Sequence, residues 1–371
     1  MIYANNAGTS WPKPPSVQAA VNSVLDANPV DYPAIFEDAH AGICAFLGVQ
    51  DPQRLLITSG CTAALSLAIG DLPWQEGDVV ITSSVEHHAL ARTVSKLESE
   101  RGVTHVRAPY LPGPAIDLDA VESTLGQGGV RLVAVTAASN VTGEILPLRA
   151  LADLAHQYDA LFLVDAAQIV GLMPVNVATM GADLLTFAGH KGPLGPQGIG
   201  GLWAAPQVQF ASPWAVCEID INSAAKRQPC SPFPSYCDLG SVNLAGAAGL
   251  AAGMQWLSGQ NTELGHHARA LAAQLVDALE QRPGVQLYGS KTASRTATLS
   301  IQIDALPLQK SELFFAESGV FLRAGSHCAP WALDALDAPH GALRISFGPY
   351  NTHDDLVRIL EVIDSAAGKV M

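Results

Sequence analysis

The sequence predicts an α/β protein with a large lobe around a mostly parallel sheet, followed by a smaller α+β lobe. Two observations carry this. From about residue 54 to 203, short β-rich runs alternate with helix-like stretches, the pattern of strands joined by crossover helices. The chain has 371 residues, 49% apolar and 15% charged, which exceeds one simple domain and suits a well-buried globule or a tight oligomer.

Strands are expected at RLLIT (54–58), VVITS (79–83), RLVAVT (131–136), LFLVD (161–165), LLTF (184–187) and IGGLWA (199–204). Amphipathic segments at 61–70, 87–100 and 147–157 lie between them. In such a sheet, ligands bind at the C-terminal ends of the strands. The stretch 205–242 carries five prolines and reads as irregular. Helical runs follow at 243–258 and 262–281, then strand-like segments at 285–288, 296–303, 320–323 and 342–347, with helices near 310–318 and 353–366. The expected division is a large domain over 16–245 and a small domain formed by 1–15 and 246–371.

The formal net charge of −14 argues against nucleic acid and anionic membranes as partners. No apolar run approaches the roughly 18 residues of a membrane span, and MIYANNAGTSWPKP lacks a secretory pattern. A cytoplasmic protein is expected. Cys44, Cys61, Cys217, Cys230, Cys237 and Cys328 are scattered without a C-x-x-C pair, which disfavours a zinc site and a disulfide framework.

Lys191 stands in FAGHKGPLGPQGIG (187–200), downstream of a strand that ends in Asp165-Ala166-Ala167-Gln168. One lysine after a buried strand is ordinarily a surface residue. An aspartate delivered at a strand end, followed by a lysine in a Gly/Pro-rich loop, suits pyridoxal 5'-phosphate (PLP). The lysine amine condenses with the cofactor aldehyde, and the aspartate keeps the pyridine nitrogen protonated.

Further motifs accompany it. TSGCTAAL (58–65) follows a strand and opens a helix, so Gly60, Cys61 and Thr62 offer a phosphate-binding turn; strand–helix turns often contain Ser and Gly without binding anything. VEHHAL (85–90) supplies His87 and His88, SNVTGEILP (139–147) supplies Asn140, and DLGSVNLAG (238–246) supplies Ser241. A solvent-facing histidine pair, a plain turn and a helix cap are the bland readings of these three. RISFGPYNT (344–352) places Arg344 on a strand-like segment, where a guanidinium forks onto a carboxylate. FLRAGSHCAP (321–330) places Cys328 beside His327 and Arg323, groups that favour a thiolate, although a free cysteine is often merely buried.

Taken in order, these motifs resemble the class V aminotransferase family of fold type I PLP enzymes, and within it the cysteine desulfurase and selenocysteine lyase branch. The resemblance runs from the N-terminal arm to RISFGPYNT. It implies a seven-stranded, mostly parallel sheet in the large domain and a homodimer with shared sites. It implies that Lys191 holds the cofactor covalently, Asp165 its ring nitrogen, Gln168 its phenolic oxygen, and His190 and Thr62 its phosphate. It also implies that His88 stacks on the ring and shuttles protons, that Asn140 contacts cofactor or substrate, and that Ser241 reaches the phosphate of the neighbouring subunit. Arg344 then holds the substrate carboxylate, with Arg323 nearby, and Cys328 takes the sulfur.

The chain departs from the pattern at several places. Ala188 replaces a serine that supports the phosphate, Asn5 replaces an aspartate, Gly8 replaces an alanine, and the segment between Asn28 and Glu37 is short. The expected activity is a cysteine desulfurase that gives L-alanine and a Cys328 persulfide, with a sulfur-acceptor protein as a further partner. A PLP-dependent C–S β-lyase acting on cystine or a conjugate, a selenocysteine lyase, and a catalytically silent sulfur-transfer subunit are the alternatives.

Overall fold

The computed structural model describes residues 1–211, 241–260 and 263–368. Its centre is a seven-stranded sheet of β2 (Leu55–Thr58), β3 (Val79–Ser83), β4 (Thr104–Ala108), β5 (Val130–Thr136), β6 (Leu161–Asp165), β7 (Leu184–Ala188) and β8 (Gly200–Ala204). The spatial order is β2-β8-β7-β6-β5-β3-β4. Strands β3 to β7 pair in parallel, and β8 alone is reversed, antiparallel to both β2 and β7. The strands from β5 to β8 are almost wholly buried, as expected where helices cover both faces of a parallel sheet.

The large lobe's helices are α1 (Pro15–Asp26), α2 (Tyr32–Leu47), α3 (Cys61–Gly70), α4 (His88–Arg101), α5 (Leu118–Gly126), α6 (Leu148–Gln157), the short α7 (Val177–Met180) and α8 (Leu244–Gly259). The smaller lobe holds α9 (Glu263–Leu279), α10 (Leu308–Glu317) and α12 (His353–Ala366) around the sheet β12-β13-β10-β9, while α11 (Pro330–Ala335) packs Ala332 and Leu333 into the large lobe's core. These strands are β9 (Val285–Leu287), β10 (Thr298–Ile303), β12 (Arg323–Gly325) and β13 (Ala342–Ser346). The N-terminal strand β1 (Ile2–Tyr3) pairs in parallel with β11 (Val320–Phe321), which ties the chain's start to the small lobe.

Two separate apolar cores lie behind this division. One surrounds the seven-stranded sheet; the other joins Ala4 to α9, β10, β13 and α12. Ala247, Leu250 and Met254 of α8 belong to the first, so this helix packs with the large lobe although the division expected at 245/246 gives it to the small one. Its glycines explain the placement: a Cβ at Gly249 would meet Pro196 and Val21 at 2.9 Å.

The sequence pattern did not reveal β4, α1, α2 or α5. THVRA (104–108) is the sheet's outer strand and is partly exposed, so it lacks the continuous apolar run of the inner strands. Most of the irregular stretch 205–242, with Cys217, Cys230 and Cys237, lies outside the described residues.

Candidate active site

The C-terminal ends of β2, β3, β5, β6 and β7 share one edge of the sheet, and the small lobe's β12 and β13 face it. Between them lies a cavity of about 870 Å³. Asp165, the last residue of β6, is 3% exposed and lines it. Its Oδ1 accepts from the Ala167 N–H at 3.0 Å and from the Cys61 thiol at 3.3 Å. Burial pushes the Cys61 thiol up, and neighbouring Asp165 pushes it further, so it remains a donor.

Lys191 sits in the turn between β7 and β8. The turn is closed by Gly195 N–H to Gly189 O and by Leu194 N–H to Lys191 O, both 2.9 Å. Gly192 is required there, because a Cβ would press on the Val170 carbonyl. The N-terminal arm braces the turn: Ser10 Oγ donates to Lys191 O at 2.7 Å, and Lys13 Nζ donates to His190 O at 2.9 Å. Burial lowers the Lys191 amine's proton affinity while Asp165 opposes it. A buried amine drawn toward its neutral form is the nucleophile that a carbonyl cofactor requires.

One corner of the cavity suits an anion. Gly60 has φ 149° and opens α3 without any side-chain cap, which leaves the first-turn N–H groups of Cys61 and Thr62 for a ligand. Gly200 permits this approach, since a Cβ would lie 2.8 Å from the Gly60 carbonyl carbon. His190 lines the same cavity with a buried Nδ1 that has no partner among the described residues. Burial, with Lys191 and Lys13 beside it, lowers this imidazole to about 4, so it acts as a neutral ring. Gln168 lines the wall and donates to Ala7 O at 3.2 Å.

The two adjacent histidines point to different places. His87, not His88, lines the cavity with Lys191. His87 is the N-cap of α4, and its Nδ1 accepts from the Ala89 N–H at 3.1 Å. Burial first, then Lys191, lowers it to about 4, and Asp165 opposes this. His88 begins the helix proper and faces a groove between α3 and α4, near Arg92. The sequence shows two adjacent histidines at a helix start; which one caps is a matter of one residue of register.

Arg344, on β13, is 5% exposed and lines the cavity. Its Nη1 donates to Asn140 O at 3.0 Å and its Nη2 to Asn5 Oδ1 at 2.9 Å, while Nε is buried without a partner among the described residues. Burial, reinforced by Arg323, lowers it to about 10. It therefore holds a charge that neutral Asn5 does not balance, together with a spare N–H, as a carboxylate site requires. Arg323 pairs with Arg344 across the strands, reaches the cavity and forms a 3.4 Å ion pair with Glu312.

Cys328 also lines the cavity and is exposed. It and His327 have φ 55° and 50°, a left-handed conformation costing roughly 1–2 kcal/mol per residue. The surroundings hold it in place: Asn140 Nδ2 donates to His327 O at 2.7 Å, His327 Nε2 bonds Ala342 O at 2.8 Å, and His88 N–H donates to Cys328 O at 2.7 Å. Burial lowers His327 to about 3. It is a neutral scaffold, so the cationic assistance to the thiol expected from it is absent at neutral pH.

Ser241 is exposed and does not line the cavity of its own chain. Ser10, Lys13 and Glu86 carry no motif of their own, because their roles depend on the arm and the strand ends meeting in space. The remaining residues fit PLP: a buried lysine and an aspartate in one cavity, a helix start open to a phosphate, and an unpartnered histidine nitrogen beside it.

Comparison with known proteins agrees. The Aminotransferase class-V family profile matches residues 6–359. A Pseudomonas aeruginosa protein named "Probable cysteine desulfurase" is 33% identical over 334 residues, covering 89% of this chain and 82% of that one. The cysteine desulfurase of Thermococcus onnurineus superposes with a TM-score of 0.89 at 25% identity, over 100% of this chain and 95% of that one. Escherichia coli cysteine desulfurase CsdA gives 0.89 at 26% identity, with the same coverage. With a match that spans nearly all of the chain and a cavity built for the cofactor, the protein belongs to the class V aminotransferase family of PLP-dependent enzymes.

Proposed function

We propose that the protein is a cysteine desulfurase, converting L-cysteine to L-alanine while Cys328 becomes a persulfide. The observation that carries this reading is the convergence of Lys191, Arg344 and Cys328 on one cavity: an amine, a carboxylate anchor and a thiol in a single chamber.

Lys191 and Asp165 would hold the cofactor, with Gln168 and His190 beside them, the turn of Gly60, Cys61 and Thr62 at its phosphate, and His87 at its ring. When bound, PLP supplies an electron sink for the pair released at the substrate Cα. Arg344 Nε and Nη2 fix the substrate carboxylate, and Asn140 and Asn5 keep the guanidinium in place. Lys191 Nζ takes the Cα proton and returns it; burial lowers the proton affinity of this amine, and Asp165 opposes the shift. The Cys328 thiolate attacks the substrate sulfur. The Cβ–S bond breaks, an S–S bond forms on Cys328, and the electron pair left on carbon is protonated to complete alanine. Sulfur is oxidised and carbon reduced by the same two electrons, so no external oxidant is needed.

The proposal includes a homodimer in which Ser241 serves the other subunit's phosphate site, a sulfur-acceptor protein that collects the persulfide, and a cytoplasmic setting where thiols stay reduced. Among the described residues no helix is long and apolar enough to cross a membrane, and Cys44, Cys61 and Cys328 are free.

The test is the carbon product formed from L-cysteine by the PLP-loaded enzyme, with Cys328→Ala alongside. Alanine from the wild type, lost in the variant over multiple turnovers, is expected. Pyruvate at an unchanged rate in the variant would replace this reading with a β-eliminating C–S lyase.

A further inference from the structure

We propose that His88 is a positioning residue for Cys328 and acts through its backbone N–H rather than its imidazole. The inference rests on the reading of Cys328 as the sulfur acceptor.

The His88 N–H donates to Cys328 O at 2.7 Å. The first N–H groups of a helix have no carbonyl within the helix to receive them, so α4 gives this donor to the Cys328 loop without losing a bond of its own. The imidazole plays no part in this bond. It faces the groove between α3 and α4, which Cys328 and His87 also line but Lys191 does not.

The loop requires such an anchor. Residues 327 and 328 are consecutive left-handed, non-glycine residues, a conformation the chain abandons unless its surroundings impose it. Asn140 Nδ2 and the His327 ring both act on residue 327. The bond from His88 is made to Cys328 itself and fixes the peptide that follows the thiol-bearing carbon. Helix α4 thus serves two ends of the reaction from adjacent positions. His87 turns its ring into the cofactor cavity, and His88 turns its amide to the nucleophile.

Proline at position 88 isolates the amide. The site is the first helical residue, where proline is tolerated. His87 already has φ −72° and ψ 152°, the extended conformation a residue before proline adopts. The His87 ring continues to cap the Ala89 N–H. His88→Pro removes the donor and sets a ring carbon against the Cys328 carbonyl; His88→Ala removes the imidazole and keeps the donor.

The comparison is between these two variants, loaded with PLP to equal cofactor absorbance. His88→Pro should form alanine from L-cysteine about tenfold more slowly than His88→Ala, through kcat rather than KM, as expected for one lost hydrogen bond at the reacting group. Iodoacetamide should alkylate Cys328, already exposed, at a changed rate in His88→Pro, because the released loop no longer holds the thiol in one orientation. Equal alanine rates and equal alkylation in the two variants would overturn the proposal, as would His88→Ala losing as much as His88→Pro. Amide hydrogen exchange tests the bond without any substitution: the His88 N–H of the wild type should be protected, and exchange at the rate of an open helix end would also overturn it. If wild type forms no alanine, the desulfurase reading falls, while alkylation and exchange still decide whether His88 anchors the loop.

Discussion

Glu86 has no surface left to water, and its surroundings set its charge. Burial pushes its carboxyl up to about 8, donors from Ser83 Oγ and the Thr136 N–H pull against this, and nearby Asp165 pushes it further. The Thr136 N–H reaches both oxygens, at 3.0 and 2.9 Å. Because the folded protein binds this proton more tightly than the unfolded chain, the stability it contributes is fully present below about pH 4.5. It is lost as pH rises through the folded value near 8, at about 1.4 kcal/mol per pH unit between the two values. Glu86→Gln should therefore gain melting temperature relative to the wild type as pH is raised from about 5 to about 8; a difference in Tm that stays constant across that range would show that Glu86 is ionised in the fold. Lys191 shifts in the sense usual for a buried amine, toward its neutral form. Lys191→Ala should abolish product formation and also the capture of PLP by borohydride, read as added mass on the denatured chain. Capture that persists in the variant would move the covalent role to another lysine.

The turn from Ser139 to Leu146 links these residues to the sheets. Gly143 has φ 75°, and a Cβ there would press on the Thr298 carbonyl of β10; Thr296 N–H donates to Gly143 O at 2.8 Å. Asn140, at the start of the turn, holds both Arg344 and His327. Gly143→Ala should destabilise the protein by at least about 1 kcal/mol and raise KM for L-cysteine, since the displaced turn loosens Arg344, while the absorbance of bound PLP stays unchanged. A higher KM without loss of Tm, or the reverse, would separate the turn from the carboxylate site. Much at this scale was legible in the sequence. The buried strands β3 and β6 and the helices α3 and α12 lie where their apolar patterns predict, because a buried parallel strand is apolar up to its C-terminal end and a packed helix buries apolar residues at a helical spacing. Outer strand β4 was not legible, because only one of its residues is buried. The site was legible wherever a residue type and a strand end suffice, as for Asp165, Lys191 and Arg344. Capping is set by backbone angles that adjacent identical residues do not encode, so the division of labour between His87 and His88 required the structure.

At the scale of the whole molecule, the cavity exists because two lobes with separate cores close on one sheet edge. Glu144, fully buried, helps hold them: it accepts from Tyr110 Oη at 2.9 Å on the large lobe and from Ser290 N–H at 2.8 Å on the small one. The phosphate corner is less complete. Ala188 offers no hydroxyl there, and Ser241, which the family pattern directs to a phosphate, is exposed and absent from its own chain's cavity. In the proposed homodimer a serine from the second copy would supply the missing donor, and cofactor retention would then depend on the dimer. Mixed dimers separate this from action within one chain. Ser241→Ala homodimers should retain PLP more weakly than wild type. Co-expressed with Lys191→Ala chains, a Ser241→Ala chain keeps its own lysine and receives an intact Ser241 from its partner. Borohydride-fixed PLP on that chain, at limiting cofactor, should return to the wild-type level. If retention stays low in the mixed dimer, Ser241 acts within its own subunit or not at all, and each site is complete in one chain.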